Sequence, residues 1–512
     1  MPHKQGFYLL QPRHDRSHWV NSSFISVGYT YHRIIRRLTM ETKPRAGKGL
    51  LTVLLAAGLT LMLLACQIDD PGTADLQDSP ETHVSPTPTV ADQPADTPAG
   101  TAAVEDGDTT TPGASDSSSG ADVEEESDAT SADLSTGTGA YTITADTTEE
   151  GKSYTSEQPD ENALRVENGC TASATAATIE KRSGDATSSA AVQSVGLNAA
   201  VLLHDGVQFS LTGSDITSDA ASAAGAFAYG VDTYLSITDT KIRTSEADSC
   251  GIVAAGGAII AAKGMSVSTQ GDASAAVCTA QTGGSISITN GVFTTGGVES
   301  PAVYAAGSIS AQSATIRANH SAAIVVDGGS LSLNECIVSG NMTAPSDGAT
   351  SDFYAVLLGE NASDAEGGGQ STFIMTGGLL NANSGDIFYV KNTVGVVSLT
   401  NATLSSNSGA LLRVTGSDGR GGKCSLVASN QVLNGDVLID GASSVDLSLT
   451  EGTVFTGSIN PSGTSGYASL TLDSDSTWIL TGDAYLSEFS GKTKNIETNG
   501  YTVYVDGSAI TK

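Results

Sequence analysis

Large side chains and charges are both scarce in this chain. Aromatic residues make up 5% of its 512 residues and charged residues 16%, the latter below the usual quarter. This scarcity excludes a thick core built from large side chains. Gly, Ala, Ser and Thr dominate instead, a composition that suits a narrow core made by stacking many thin, similar layers. Basic residues are scarcer still: 24 Lys and Arg face 56 Asp and Glu, for a net charge of −32, and nine of the 24 precede Cys66. A surface this acidic repels nucleic acid and anionic headgroups, and no basic patch or stacking array offsets it, so nucleic acid is not an expected partner. The six cysteines, Cys66, Cys170, Cys250, Cys278, Cys336 and Cys424, have no CxxC spacing and no accompanying histidine cluster. Zinc is excluded on that ground, and no metal or cofactor is expected. The five cysteines after Cys66 read as small buried residues with free thiols, a single disulfide between neighbouring turns being the alternative.

The front of the chain carries an address. Lys43, Arg45 and Lys48 precede the apolar run Leu50 to Ala65, and Cys66 follows. Basic residues before a short apolar stretch make a secretory signal, and the run is shorter than the ~20 residues of a membrane span. Leu63-Leu64-Ala65-Cys66 resembles a bacterial lipobox, which implies lipid attachment at Cys66 and anchoring to the extracellular face of the bacterial cell membrane. The signal begins naturally at Met40 and occupies residues 40–65, so residues 1–39 read as an over-extended start. Residues 66–140 are rich in Pro, Thr, Ser, Asp and Glu and, after Cys66, hold no Lys or Arg. Such a segment cannot offset its ordering entropy by burial, so a disordered acidic tether is expected, on the order of 50 Å end to end.

Internal repetition decides the architecture of the rest. Short apolar segments recur with second residues at 201, 227, 252, 277, 303, 324, 356, 388 and 412, in steps of 21 to 32 and mostly 24 to 26. A second segment follows most of them and alternates apolar residues with Ser or Thr, as in Phe209-Ser210-Leu211-Thr212 and Leu235-Ser236-Ile237-Thr238. Period two means a strand with one face inward. A third short strand often follows, as at Ile216-Thr217 and Ile242-Arg243, with Gly, Asn and Asp between strands. Two or three strands per coil of about 25 residues cannot fold alone; stacking coils ~4.8 Å apart supplies the missing hydrogen bonds. The expectation is an all-β fold over residues 141–512: a right-handed parallel β-helix of 12 to 14 coils, roughly 60 Å long, with a C-terminal cap from about residue 476. Steps near 32 before Val356 and Phe388 predict protruding loops around residues 341–351 and 361–370.

The segments spanning residues 199–219, 226–245, 300–319, 385–404 and 476–491 (the last reading STWILTGDAYLSEFSG) resemble adhesin-like β-helix lipoproteins of gut Clostridia and related bacteria. The resemblance covers residues 141–512. It implies a pectate-lyase-like β-helix and carries no catalytic residue over. The Asn-Thr-Asp, Gly-His-Gly and Arg-Ile-Lys segments of polygalacturonase-like hydrolases, the GxSxG elbow, HExxH and the P-loop are all missing from the body. His204 and His320 read as strand ends, and Arg243, Arg317 and Arg413 as solvated, outward side chains, the binding role considered for Arg413 below being the competing reading. No catalytic residue is assigned.

The third residue of each ladder segment should face outward. That column reads Leu202, Ala228, Val253, Cys278, Tyr304, Val325, Leu357, Tyr389, Arg413, which is apolar for a solvent face. Tyr304, Tyr389 and Arg413 are the candidate ligand-binding residues, able to stack on sugar rings or receptor side chains; the competing reading is a column covered by loops. The expected function is adhesion or ligand binding at the cell surface, toward a polysaccharide, a host or cell-surface glycan, or a protein. A carbohydrate-binding module and a polysaccharide lyase or hydrolase are the alternatives.

Overall fold

The computed structural model describes residues 137–187, 194–343, 352–359, 369–407, 409–417 and 420–511. The expected signal, Cys66, nearly all of the tether, and most of both expected loops lie outside the described residues. What is described is nearly all β, a parallel β-solenoid of about 13 turns. Its first strand, Thr138–Gly139, begins just ahead of the expected boundary.

Each full coil contributes to three ladders. The first is a twelve-stranded parallel sheet running from Thr142–Ile143 to Val437–Ile439. Its inward column, in register, is Leu164, Val201, Ala226, Ile252, Val277, Val303, Ile324, Val356, Phe388, Leu412 and Val437, and every member is fully buried. The expected stacking of Val277, Val303 and Ile324 is therefore observed. One expected position is off by a residue. Ala226, not Phe227, pairs with Val201 and Ile252; Phe227 pairs with Leu202 and Val253, so it stands in the outward column in place of Ala228. In Ala226-Phe227-Ala228 the largest side chain suggested the core, but a methyl fills that layer.

The second ladder holds the Ser/Thr-alternating strands. Its inward column runs Phe209, Leu235, Ile260, Ile286, Ile309, Leu331, Phe373, Val397, Leu426, Leu447, Leu470. The third ladder carries Ile179, Ile216, Ile242, Val267, Phe293, Ile316, Val338, Leu380 and Leu404. The turn between these two ladders repeats one backbone device. A residue with left-handed φ ends the second strand of successive coils: Gly213, Asp239, Gly264, Asn290, Ser313, Glu335, Gly377, Asn401, Asn430 and Glu451. Gly, Asn and Asp tolerate this conformation. Ser313, Glu335 and Glu451 accept the strain because the register above and below fixes the turn.

Buried hydroxyls tie another corner together. Ala223 N donates to Ser249 Oγ at 3.1 Å, Ser249 N to Ser274 Oγ at 2.9 Å, and Ser274 N to Ser300 Oγ at 3.0 Å. Thr244, Thr269 and Thr295 hydroxyls donate to the carbonyls of Ser249, Ser274 and Ser300. Every one of these serines is completely buried.

The third ladder is interrupted once. Thr403–Ser406 pairs with Leu379–Ala382 on one side, while Val432–Asn434 starts a separate four-stranded sheet. Parallel stacking then continues through Val454–Thr456 and Thr477–Ile479 to Ile496–Glu497. Trp478 is thus an interior residue, fully buried and stacked on Phe455 with ring centroids 6.2 Å apart. Among the described residues, antiparallel pairing occurs where Val503–Val505 meets Ser508–Ala509. All five cysteines described have free, buried thiols.

Candidate functional site

The outward column of the first sheet, in true register, is Leu202, Phe227, Val253, Cys278, Tyr304, Val325, Leu357, Tyr389, Arg413 and Leu438. Its first part is not a solvent face. Val195, Leu197 and Ala199 pack over Leu202, Phe227, Val253 and Cys278 in a second hydrophobic cluster outside the solenoid core. From Tyr304 onward the column opens: Tyr304, Val325, Leu357, Arg413 and Leu438 are half-buried, and Tyr389 is 5% exposed.

The three candidate residues therefore share one column but not one spot. Tyr389 and Arg413 are register neighbours. Tyr304 lies three coils back, about 14 Å away at ~4.8 Å per coil. Around Tyr389 the packing is dense. Its ring centroid is 5.3 Å from that of Tyr354, and its hydroxyl bonds Thr415 Oγ1 at 2.9 Å. The Arg413 Nε donates to Asp386 Oδ2 at 2.5 Å, and Ala410 N donates to Asp386 Oδ1 at 2.7 Å. The Asp386 hydrogen bond raises the Arg413 pKa further, against the opposing effect of burial. Burial raises the Tyr389 phenol, and pushes that of Tyr354 up to about 12. Both tyrosines stay neutral and offer rings and hydroxyls rather than charge.

Around Tyr304 the arrangement differs. Its hydroxyl donates to Asp327 Oδ2 at 2.6 Å, and Gln281 Nε2 donates to the same oxygen at 3.1 Å. Burial raises the Asp327 carboxyl, opposed by these two hydrogen bonds. The Tyr304 phenol is raised by burial first and by the Asp327 charge second.

Sequence reasoning missed Tyr354, Asp386, Asp327 and Thr415. Tyr354 and Asp386 each stand two residues before an inward residue, Val356 and Phe388, and the same offset would have placed them side by side. Elsewhere His204 follows the strand Val201–Leu203, and its Nε2 lies 3.0 Å from Glu167 Oε2, which also accepts from Arg165 Nε at 2.6 Å. His320 ends the strand Ser308–His320, and Arg243 and Arg317 are exposed, as expected, whereas Arg413 departs from the solvated reading: it is half-buried, held by its ion pair with Asp386. Among the described residues no group of three or more His, Cys, Asp or Glu is placed to hold a metal.

No known family model matches this chain. No curated protein matches it significantly.

Proposed function

We propose that this is an exported, lipid-anchored surface protein whose solenoid presents a ligand-binding strip for adhesion. The observation that carries the reading is the open half of the outward column, where Tyr304, Val325, Leu357, Arg413 and Leu438 are half-buried in register on one sheet, with the buried Tyr389 packed between Leu357 and Arg413. Side chains of this kind, aromatic and Arg among aliphatics, are those enriched where protein surfaces recognise partners. The column repeats along the solenoid axis, which suits an extended partner, a cell-surface glycan chain or a protein. The lipobox-like Leu63–Cys66 and the acidic segment after it supply the anchor and the spacer.

Two measurements test the two halves. Metabolic labelling with a fatty-acid probe should mark the wild-type chain, and Cys66→Ser should abolish the label; a labelled Cys66→Ser protein refutes the anchor. For the strip, adhesion of cells displaying the protein to mucin-coated or epithelial surfaces should fall with Tyr389→Ala and with Arg413→Ala, by about tenfold in affinity per lost anchor. Adhesion unchanged in both variants, with folding intact, refutes the strip.

A further inference from the structure

The interruption of the third ladder opens the solenoid core at one point. Its cause is a change in coil size. From the inward residue of the third ladder to that of the next first-ladder strand, the chain takes eight residues at Leu380–Phe388 and again at Leu404–Leu412, but four at Leu433–Val437 and Phe455–Ile459. The narrower coils cannot keep register with the wider ones at this corner. At one end the two sides still meet. Asn430 Nδ2 donates to Asn401 Oδ1, and the Gln431 amide, with its nitrogen 2.7 Å from Ala402 O, accepts from Asn401 N at 2.8 Å. Beyond that point Thr403–Ser406 and Val432–Asn434 diverge without ladder pairing.

The divergence leaves a groove of about 480 Å³, within the ~300–1,000 Å³ typical of small-ligand sites. Its apolar floor is Leu404 and Ile387. Leu404 is the telling residue: its inward counterparts from Ile179 through Leu380 and again at Leu433, Phe455 and Trp478 are all at most 1% exposed, while Leu404 is half-buried. The walls are Ser405, Asn407 and Asn434, with no charged side chain among the lining residues of a chain whose net charge is −32. Ser405 Oγ donates to Asn381 Oδ1 at 2.9 Å and Asn407 Nδ2 to Asn383 O at 3.2 Å, which leaves both with accepting oxygens unused. The exposed Asn434 amide adds donors as well as an acceptor.

We propose that this groove binds one neutral sugar unit. A pyranose has an apolar C–H face for Leu404 and Ile387 and a rim of hydroxyls that both donate and accept, matching the uncharged amides and hydroxyl of Asn407, Asn434 and Ser405. An acidic sugar would enter with its carboxylate unpaired, because nothing in the groove is cationic. The site is independent of the Tyr389 and Arg413 strip, and either can fail alone.

The test is saturation-transfer NMR on the full chain with methyl glycosides of glucose, galactose, mannose and N-acetylglucosamine, and with methyl glucuronide as the acidic counterpart. A single sugar in an open groove binds with a dissociation constant on the order of millimolar. Saturation transfer to at least one neutral glycoside is expected, and little or none to the glucuronide. Asn434→Trp, which fills the groove from an exposed position, should abolish it; Asn434→Ala should weaken it about threefold to tenfold; Ser287→Ala, exposed on the second ladder, should leave it unchanged. The proposal is overturned if no neutral glycoside shows transfer at about ten times that concentration, if Asn434→Trp and Asn434→Ala both bind as wild type, or if glucuronide binds as well as glucoside. Loss of transfer in Tyr389→Ala alone would move the sugar to the strip and overturn the groove.

Discussion

Replacing Ser274 by Ala should cost far more than an exposed serine-to-alanine change, because Ser274 is a rung in a dry ladder. Its hydroxyl accepts from Ser249 N at 2.9 Å and donates toward Asp272 O at 3.0 Å, and the residue is completely buried. Without that oxygen the Ser249 N–H has no acceptor, and water has no path to it. An orphaned buried donor costs about 1–3 kcal/mol, so a loss of about 2 kcal/mol is expected for Ser274→Ala. At 1.4 kcal/mol per tenfold, that corresponds to about 30-fold faster exchange of the Ser249 amide if exchange proceeds by local opening. The effect should be local, since each coil of a solenoid depends chiefly on its neighbours. The Ala223 amide, which donates to Ser249 Oγ at 3.1 Å and does not touch Ser274, should keep its protection. Ser287, exposed on the second ladder, is the control; Ser287→Ala should change stability by less than about 0.5 kcal/mol. Hydrogen exchange read by mass spectrometry, with urea denaturation alongside, measures both. If Ser274→Ala and Ser287→Ala are indistinguishable, the hydroxyl ladder does not hold this corner and the reasoning fails.

Two other outcomes follow from the same core. Ile324→Ala, in the sealed inward column, should destabilise by about 2–5 kcal/mol, whereas Val325→Ala, one residue on and facing outward, should cost less than about 1 kcal/mol; thermal melts giving equal losses would contradict the register. Lys181 is wholly buried, donating to Gln158 O and Glu161 O, and burial pushes its pKa down from 10.5 to about 8, with Glu161 opposing. Between those two values the unfolded chain holds a proton that the native chain has released, so native stability should rise with pH across that window and be flat, as far as Lys181 is concerned, below it. Denaturation midpoints at pH about 7.5 and about 9.5 check this; the rise should vanish in Lys181→Met, and an identical rise in that variant would rule Lys181 out as its source.

The repeat, the all-β class and most of the inward column are legible in the chain alone. A period-two pattern recurring near every 25 residues has few other solutions, because a single coil cannot satisfy its own backbone. Even the wide steps before Val356 and Phe388 mark real insertions between paired strands. Legibility fails where residue type stops being informative. Ala226 and Phe227 are both acceptable in a core, and only the layers above and below decide that Ala226 points inward. Ser249, Ser274 and Ser300 look like the many other serines, yet they alone of that type form the buried ladder at this corner; a hydroxyl serves equally well in water or in a tight turn, and sequence does not separate the two.

The composition and spacing of this chain thus determined that thin coils would stack, and roughly which side chains would fill them, since those follow from local periodicity and the need to pair every backbone group. Tertiary structure decided the rest: which half of the outward column lies under Val195 and Leu197, which carboxylate meets Arg413, and where the core opens at Leu404. Each of these depends on how far one coil is displaced from the next, a distance set by the combined sizes of residues far apart in the chain and recorded in no single segment of it.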